Sequence, residues 1–503
     1  MVKIKYEYLF LVTIFIISTC GLIYELIAGT LASYLLGDSI TQFSLIIGIY
    51  LFSMGIGSYL SKFFTNDHLI NRFIEIEILI GLIGGLSAPL LFLIFNKVDF
   101  FEFYLYFIVF IIGCLVGLEI PLLMNILKDK FQFSALVSNV FTFDYIGALL
   151  ASILFPVFFI PYLGLIETSI VFGIVNIGTA LLMCFSLQKE IRGVSFLKIK
   201  AFFGLAILLI TLFFSSTILS FSEKNLYGEN IVFSKTTKHQ RIVLTHERKN
   251  FNLYLNNNLQ FSTFDEYRYH EMLVHPAMSF AKSIHHILIL GGGDGLAARE
   301  ILKYKEVQSI TLVDLDEEMT SLFQKNKLFT KMNTFSLQDE KVEIINNDAF
   351  VWVNEKNNKK YDVVIIDFPD PSNFSLGKLY TNSFYASLQK KLTDDAVLVV
   401  QSTSPFFAPK SFWCVNKTIQ SEFISTIPYH VYLPSFGEWG FTLATNYDFD
   451  NQIKRSVENL KFYNYNLNDF TYFSKDMRVD EVEINKLNNQ KLVSYFNAEW
   501  SGY

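Results

Sequence analysis

The chain has 503 residues, 51% hydrophobic and only 17% charged, where an ordinary soluble domain carries about 25% charged residues. With a mean hydropathy of +0.35, it is not a disordered chain, a disulfide scaffold or a simple soluble enzyme. Lys and Arg number 41 against 47 Asp and Glu, a net charge of −6, which gives no basic face for nucleic acid. Length alone is a prior for roughly three domains. The four cysteines, Cys20, Cys114, Cys184 and Cys414, have no metal-ligand spacing and read as buried thiols.

The apolar excess lies in residues 1–220, as runs near 8–29, 40–63, 74–95, 102–125, 136–160, 164–186 and 200–220. Each approaches the roughly 20 residues needed to cross a bilayer core. Polar stretches such as Lys128-Asp-Lys130 and Gln188-Lys-Glu-Ile-Arg192 separate them. A cleaved signal peptide would account for the first run alone, and seven runs predict a multi-pass bundle. Gly55, Gly57, Gly81, Gly84 and Gly85 suit close helix packing in lipid. Glu25, Glu75, Glu77, Glu119, Asp144 and Glu167 lie in or beside these runs, with few basic residues at similar depth. Two readings stand for them: a cation site or pathway, or hydrogen-bonded carboxyls that pin the helices.

After residue 221 the texture changes to short strands, charges and turns. Asn230–Thr236, Gln240–Thr245, Phe251–Asn256 and Leu259–Ser262 read as strands of a small β region. From residue 285, strands alternate with helices. His286–Leu290 runs into Gly291-Gly-Gly-Asp-Gly295 and a helical segment, Leu296–Lys303. Strand Ser309–Val313 ends at Asp314-Leu-Asp316, Val342–Ile345 near Asp348, Asp362–Ile366 at Asp367, and Ala396–Val400 at Gln401-Ser402. Parallel α/β sheets bind ligands at the carboxyl ends of their strands, so these acids are site candidates by position.

The glycine turn lets backbone approach a nucleotide, and an acid about 20 residues on, Asp314, is placed to take ribose hydroxyls. The turn lacks the Gly-Lys-Ser/Thr tail of a phosphate-binding P-loop. Asp367-Phe-Pro-Asp-Pro371 sets two carboxylates on one turn, and Asp294 adds a third acid. Such a set repels phosphates and attracts a cationic substrate such as a polyamine. An Asp there can accept a proton from an attacking ammonium. Singly, each Asp could equally cap a helix or turn.

Asp265-Glu-Tyr-Arg-Tyr-His-Glu271 with His275-Pro276, then Gly291–Gly295, Val313-Asp-Leu-Asp316 and Asp367–Pro371 together look like the spermidine synthases, a family of polyamine aminopropyltransferases. The resemblance spans about 225–445. The apolar half, with Lys378-Leu-Tyr380 and Phe436-Gly-Glu-Trp-Gly440, resembles a bacterial membrane-bound subset. The resemblance implies transfer of the aminopropyl group of decarboxylated S-adenosylmethionine, a co-substrate, to putrescine or a related amine. It implies 5′-methylthioadenosine as the other product, with no further cofactor and no metal. It makes Asp367 the proton acceptor. Donor contacts fall to Gln240, Asp294 (the aminopropyl amine), Asp314 (the ribose), and Asp348 with Ala349 (the adenine). Tyr269, His270 and Asp370 line the amine channel. Leu255-Asn-Asn257, Asp348-Ala349, Phe368-Pro369 and Phe374 depart from the family pattern and leave the acceptor open.

The expected architecture is a transmembrane helical bundle of about seven spans (1–221), a small β-rich part (222–284), and a Rossmann-like, methyltransferase-type α/β domain (285–503). The family implies a homodimer or homotetramer. A methyltransferase-like enzyme on a lipid or unusual acceptor, and a polyamine transporter or sensor with a nucleoside-binding module, are the alternatives. The chain is expected in the cell membrane. Loop lysines and arginines place the N-terminus in the cytoplasm, and seven spans would then put the catalytic half outside. The donor nucleotide places it in the cytoplasm, which is the expectation adopted.

Overall fold

The computed structural model describes residues 2–500 apart from 37–38, 65–67, 96, 129–131, 228–229 and 450–451. Lys130, counted above among the loop charges, lies outside the described residues. The chain forms two compact units, Met1–Ile231 and Val232–Tyr503.

The first unit is helical: α1 (Val2–Leu36), α2 (Ser39–Leu60), α3 (Leu69–Ile94), α4 (Phe101–Leu127), α5 (Phe133–Leu154), α6 (Ile160–Ser186), α7 (Val194–Phe213) and α8 (Ser215–Tyr227). Apolar runs of this length take helical form because a helix satisfies its own backbone polar groups where no water can. Glycines let these helices touch. A Cβ on Gly57 would lie 2.0 Å from the Cys114 carbonyl oxygen, and one on Gly117 2.2 Å from that of Met54, so α2 and α4 meet backbone to backbone.

Among the described residues, six stretches are long and apolar enough to cross a membrane. The runs expected at 136–160 and 164–186 form one, Phe133–Ser186, of 54 residues. Pro156 and Pro161 do not end it. A π-helical turn over Phe155–Phe159 holds the first proline, and the second follows directly in the first turn of α6. The break comes at Gly164 (φ +73°), where the Thr168 hydroxyl donates to the freed Gly164 carbonyl (2.5 Å). At about 1.5 Å per residue the stretch would be about 80 Å long if straight, more than double a bilayer core of about 30 Å. Both α5 and α6 pack on α1. The run expected at 200–220 is divided at Phe214, between α7 and α8.

The second unit opens with a four-stranded sheet of β1 (Asn230–Thr236), β2 (Arg241–Glu247), β3 (Asn250–Leu255) and β4 (Asn258–Ser262), in chain order. α9 (Glu266–Phe280) leads to the main domain. There follow β5 (His286–Gly291), α10 (Leu296–Ile301), β6 (Ser309–Asp314), α11 (Glu317–Lys325), α12 (Lys327–Met332), β7 (Val342–Asn346), α13 (Ala349–Asn354) and β8 (Tyr361–Asp367). The chain closes with α14 (Phe374–Gly377), α15 (Asn382–Gln389), β9 (Leu392–Gln401), α16 (Pro409–Gln420), β10 (Ser425–Leu433), β11 (Gly437–Thr445) and α17 (Lys491–Trp500).

The seven-stranded sheet has the order β10-β11-β9-β8-β5-β6-β7. Strands β5 to β9 pair in parallel, and β11 pairs antiparallel with both β9 and β10. Alternation along the central strands feeds two cores. Ile287, Ile289, Val363 and Ile365 enter one, and Leu288, Leu290, Val364 and Ile366 the other. A strand buried on both faces reads as an unbroken apolar run, which is why β5 and β8 stand out in the sequence. The strand order reverses between β5 and β8, and in such sheets the ligand crevice lies at that reversal, beyond the carboxyl ends.

Candidate active site

The crevice is built on one register pair, Gly291 opposite Asp367. The Gly292 N–H donates to the Asp367 carbonyl (3.2 Å). A Cβ on Gly291 (φ +80°) would fall 2.2 Å from that same oxygen, so only glycine fits there. The Gly293 N–H donates to Asp314 Oδ2 (3.1 Å), and Asp314 Oδ1 accepts from the Asp316 N–H (2.9 Å). Asp294 Oδ1 accepts from the N–H of Leu296 (2.8 Å), the first residue of the next helix. Burial pushes the Asp294 carboxyl up and that of Asp314 up to about 6.

Opposite stands Asp367, at the end of β8. The Tyr269 hydroxyl donates to its Oδ1 (2.5 Å). Burial pushes the Asp367 carboxyl up to about 6, against the pull of the His270 cation and with a push from Asp294. His270 Nδ1 donates to the main-chain oxygen (2.8 Å) and Oε2 (2.9 Å) of Glu266, one turn back on α9. Arg299 on α10 grips both Glu266 oxygens (2.9 and 2.8 Å). Burial works against charge on His270, yet Glu266 lifts the ring to about 8. Burial likewise opposes charge on Glu266, and its bonds to His270 and Arg299 hold it down at about 2. A cationic imidazole is thus fixed among the acids.

Asp370 takes the other side of the turn. Gln401, at the end of β9, donates from Nε2 to the Phe368 carbonyl (2.6 Å) and to Tyr380 Oη (2.6 Å), and reaches Asp370 Oδ1 at 3.5 Å. Tyr380 in turn donates to the carbonyls of Phe368 (3.2 Å) and Pro369 (3.0 Å). Burial raises the Asp370 carboxyl to about 7.

The structure therefore brings Asp294, Asp314, Asp367, Tyr269 and His270 around one turn, with Asp370 beside them. Gln240 joins indirectly. Its amide (2.9 Å) and the Thr237 hydroxyl (2.7 Å) donate to Asp316 Oδ2, tying the small sheet to the end of β6. Asp348 and Ala349 stand one strand end further out. Asp348 Oδ1 caps α13 through the Phe350 N–H (2.8 Å), and its Oδ2 accepts from Lys378 Nζ (2.5 Å). Asp294, Asp314, Asp348, Asp367 and Asp370 are all half-buried residues. Sequence reasoning missed the Glu266–Arg299 clamp, Thr237 and the Gln401 tie. Glu266 lies four residues before His270, the spacing that pairs side chains on a helix. Gln401 is marked by its strand end, and no comparable local signal marks Arg299. Among the described residues, no group of three or more His, Cys, Asp or Glu could hold a metal ion.

Residues 266–455 match the family model described as the spermine/spermidine synthase domain, which sets the class of the catalytic unit. Over 492 residues (97% of this chain, 98% of the relative) the sequence is 51% identical to a polyamine aminopropyltransferase of Leptospira interrogans. It is 45% identical over 504 residues (98% of each) to polyamine aminopropyltransferase 2 of Ralstonia nicotianae. A solved spermidine synthase in complex with the transition-state analogue AdoDATO is 26% identical, with a TM-score of 0.45, covering 49% of this chain and 88% of that one. The chain belongs to the polyamine aminopropyltransferase family. The two matches from Leptospira interrogans and Ralstonia nicotianae run through the sequence of both units.

Proposed function

We propose that the crevice binds decarboxylated S-adenosylmethionine and a diamine of the putrescine class, and joins them into a triamine with release of 5′-methylthioadenosine. The observation that carries this reading is the Asp367–Tyr269–His270–Asp294 constellation at the strand reversal. In this reading Asp314 takes the ribose hydroxyls, with Gln240 backing it through Asp316. Asp348 and Ala349 meet the adenine. Asp294 holds the donor's amine, and Asp370 the distal ammonium of the acceptor.

The attacking nitrogen must be neutral. It displaces the thioether from the carbon beside the sulfonium, forming a C–N bond as the C–S bond breaks. Asp367 accepts the proton that the new ammonium sheds, as a positioned general base. Tyr269 and His270 hold that carboxylate in place and offset the crowding of acids. Placing both substrates in line supplies much of the acceleration. Asp294 also disfavours ordinary S-adenosylmethionine, whose carboxylate would face it, which weighs against methyl transfer. No other cofactor has a role in this reading.

The test is methylthioadenosine release from the purified full chain with the decarboxylated donor and a panel of amines. Asp367→Asn is expected to lower kcat by about 10²–10⁴-fold while nucleoside binding persists. Release that does not depend on an amine, or that survives Asp367→Asn, would overturn the reading.

The six apolar stretches support a multi-pass protein of the cell membrane. We place the catalytic unit on the cytoplasmic side, where the donor is made. Lys224, exposed on α8, provides the test. Lys224→Cys should react with an impermeant thiol reagent only after cells are opened, and labelling of intact cells would reverse the assignment. Assembly as a homodimer or homotetramer is part of the same proposal.

A further inference from the structure

β9 ends at Gln401, and the turn that follows, Ser402-Thr403-Ser404, is buried throughout. Thr403 takes the left-handed conformation, with φ +61°. Glycine or asparagine adopts it readily, whereas a β-branched residue there is an outlier. Such strain persists only where the surroundings enforce it, and it gathers at functional sites. Here both flanks enforce it. The Ser402 N–H donates to the Gly440 carbonyl (2.8 Å), and the Thr403 carbonyl accepts from the Gly440 N–H (2.7 Å). Ser404 Oγ accepts from the N–H groups of Phe406 (3.3 Å) and Phe407 (3.1 Å).

The turn acts on the amine side of the crevice through Gln401. The Thr403 N–H donates to Gln401 Oε1 (3.1 Å). A carboxamide has one accepting end and one donating end, so this bond fixes which end faces the site. Nε2 is turned to the Phe368 carbonyl (2.6 Å) and to Asp370 Oδ1 (3.5 Å). With the amide reversed, an acceptor would stand against both oxygens. The Thr403 side chain works in the same direction. Burial raises the Asp370 carboxyl, and the side chains of Gln401 and Thr403 oppose that rise. Yet the Thr403 hydroxyl, on a residue 1% exposed, has no hydrogen-bond partner of ordinary geometry.

A buried hydroxyl without a partner is costly, and the strained backbone adds to that cost. A primary ammonium would meet it, because it carries three N–H donors and a carboxylate has only two oxygens. We propose that the Thr403 hydroxyl is a binding group for the distal ammonium of the amine acceptor, beside Asp370, and that the left-handed turn holds it and Gln401 in register with that acid. This rests on the function proposed above, in which Asp370 takes that ammonium.

The test is steady-state methylthioadenosine release from the full chain, with putrescine varied at saturating donor, for three variants. Thr403→Val keeps the shape without the hydroxyl. Thr403→Gly removes both hydroxyl and strain, so it folds even where the valine variant fails. Thr403→Ser restores the hydroxyl. The valine and glycine variants should raise the KM for putrescine about tenfold, the loss of one charge-assisted hydrogen bond. Their kcat and the KM for the donor should change by less than about threefold, well under the effect of one such bond. The serine variant should stay near the wild type, and the glycine variant should melt close to it. A glycine variant that folds and keeps the wild-type KM for putrescine would overturn the proposal. So would an equal rise in both KM values, the mark of a merely structural role. Putrescine binding is titrated in parallel on the wild type and the glycine variant. Binding that weakens tenfold in the variant, with no release from the wild type, would fail the catalytic reading alone. Release with an unchanged putrescine KM in the variant would fail this one alone.

Discussion

Asp367 works at the meeting point of opposed influences. Burial raises its carboxyl to about 6, whereas His270 and the Tyr269 hydroxyl favour its charged form. A raised acid is protonated at higher pH than usual, so base strength is lost early on acidification. We expect kcat/KM to fall about tenfold per unit as pH drops below about 6, with Asp370, at about 7, adding to the decline. Tyr269→Phe removes a hydrogen bond to the carboxylate. The acid limb should then move to higher pH, as seen in a pH–rate profile of methylthioadenosine release. An unmoved limb would mean that Tyr269 does not act through Asp367. The residues themselves were legible in the chain: an acid at or just past the ends of β5 to β8, and two on one turn. What each acid touches was not. Asp348 is bound by Lys378 and Asp316 by Gln240, partners 30 and 76 residues away.

At the scale of elements, α9 and α10 are clamped to each other by Glu266, His270 and Arg299. Glu266 is lowered to about 2 from an ordinary value near 4.3. Its contribution to stability is present above about 4.3 and is lost as pH falls toward 2. His270 is raised to about 8 from about 6.5. Its contribution is complete below about 6.5 and is lost as pH rises through 8. The clamp is therefore whole between about pH 4.3 and 6.5. Glu266→Gln should cost about 1.5–3 kcal/mol, the loss of charge-assisted hydrogen bonds to His270 and Arg299, since Arg299 keeps Glu300 at 3.0 Å, and it should flatten the fall in stability between about pH 6.5 and 8. Thermal or denaturant unfolding followed across that range checks both. Periodicity revealed most elements to within a few residues: β1 was expected and found at Asn230–Thr236, and α10 ends two residues earlier than expected, at Ile301. Helix continuity was the harder inference. The runs at 136–160 and 164–186 read as separate in the sequence, and the helix kinks at Gly164 between them, but a π turn carries it through Pro156 and it continues past Pro161 up to that point.

At the scale of the molecule, every residue assigned to the crevice lies in the second unit, Val232–Tyr503. A fragment of residues 222–503 should therefore fold and release methylthioadenosine with a kcat within about an order of magnitude of the full chain. Loss of activity in a folded fragment would show that the helical unit takes part in catalysis. The sequence by itself determined the class of each half, because hydrophobic run length and strand alternation are local properties that solvent enforces residue by residue. The glycine turn and the strand-end acids, as short motifs, also pointed to a nucleotide and a cationic substrate, and the reaction type followed from the family resemblance that the motifs carry in order. Only the tertiary structure decided which groups share a hydrogen bond or a clamp. Glu77 and Asn176 are 99 residues apart, and Tyr269 and Asp367 are 98 apart. Such pairs exist only once helices and strands have packed, and burial then sets the charge that each group carries.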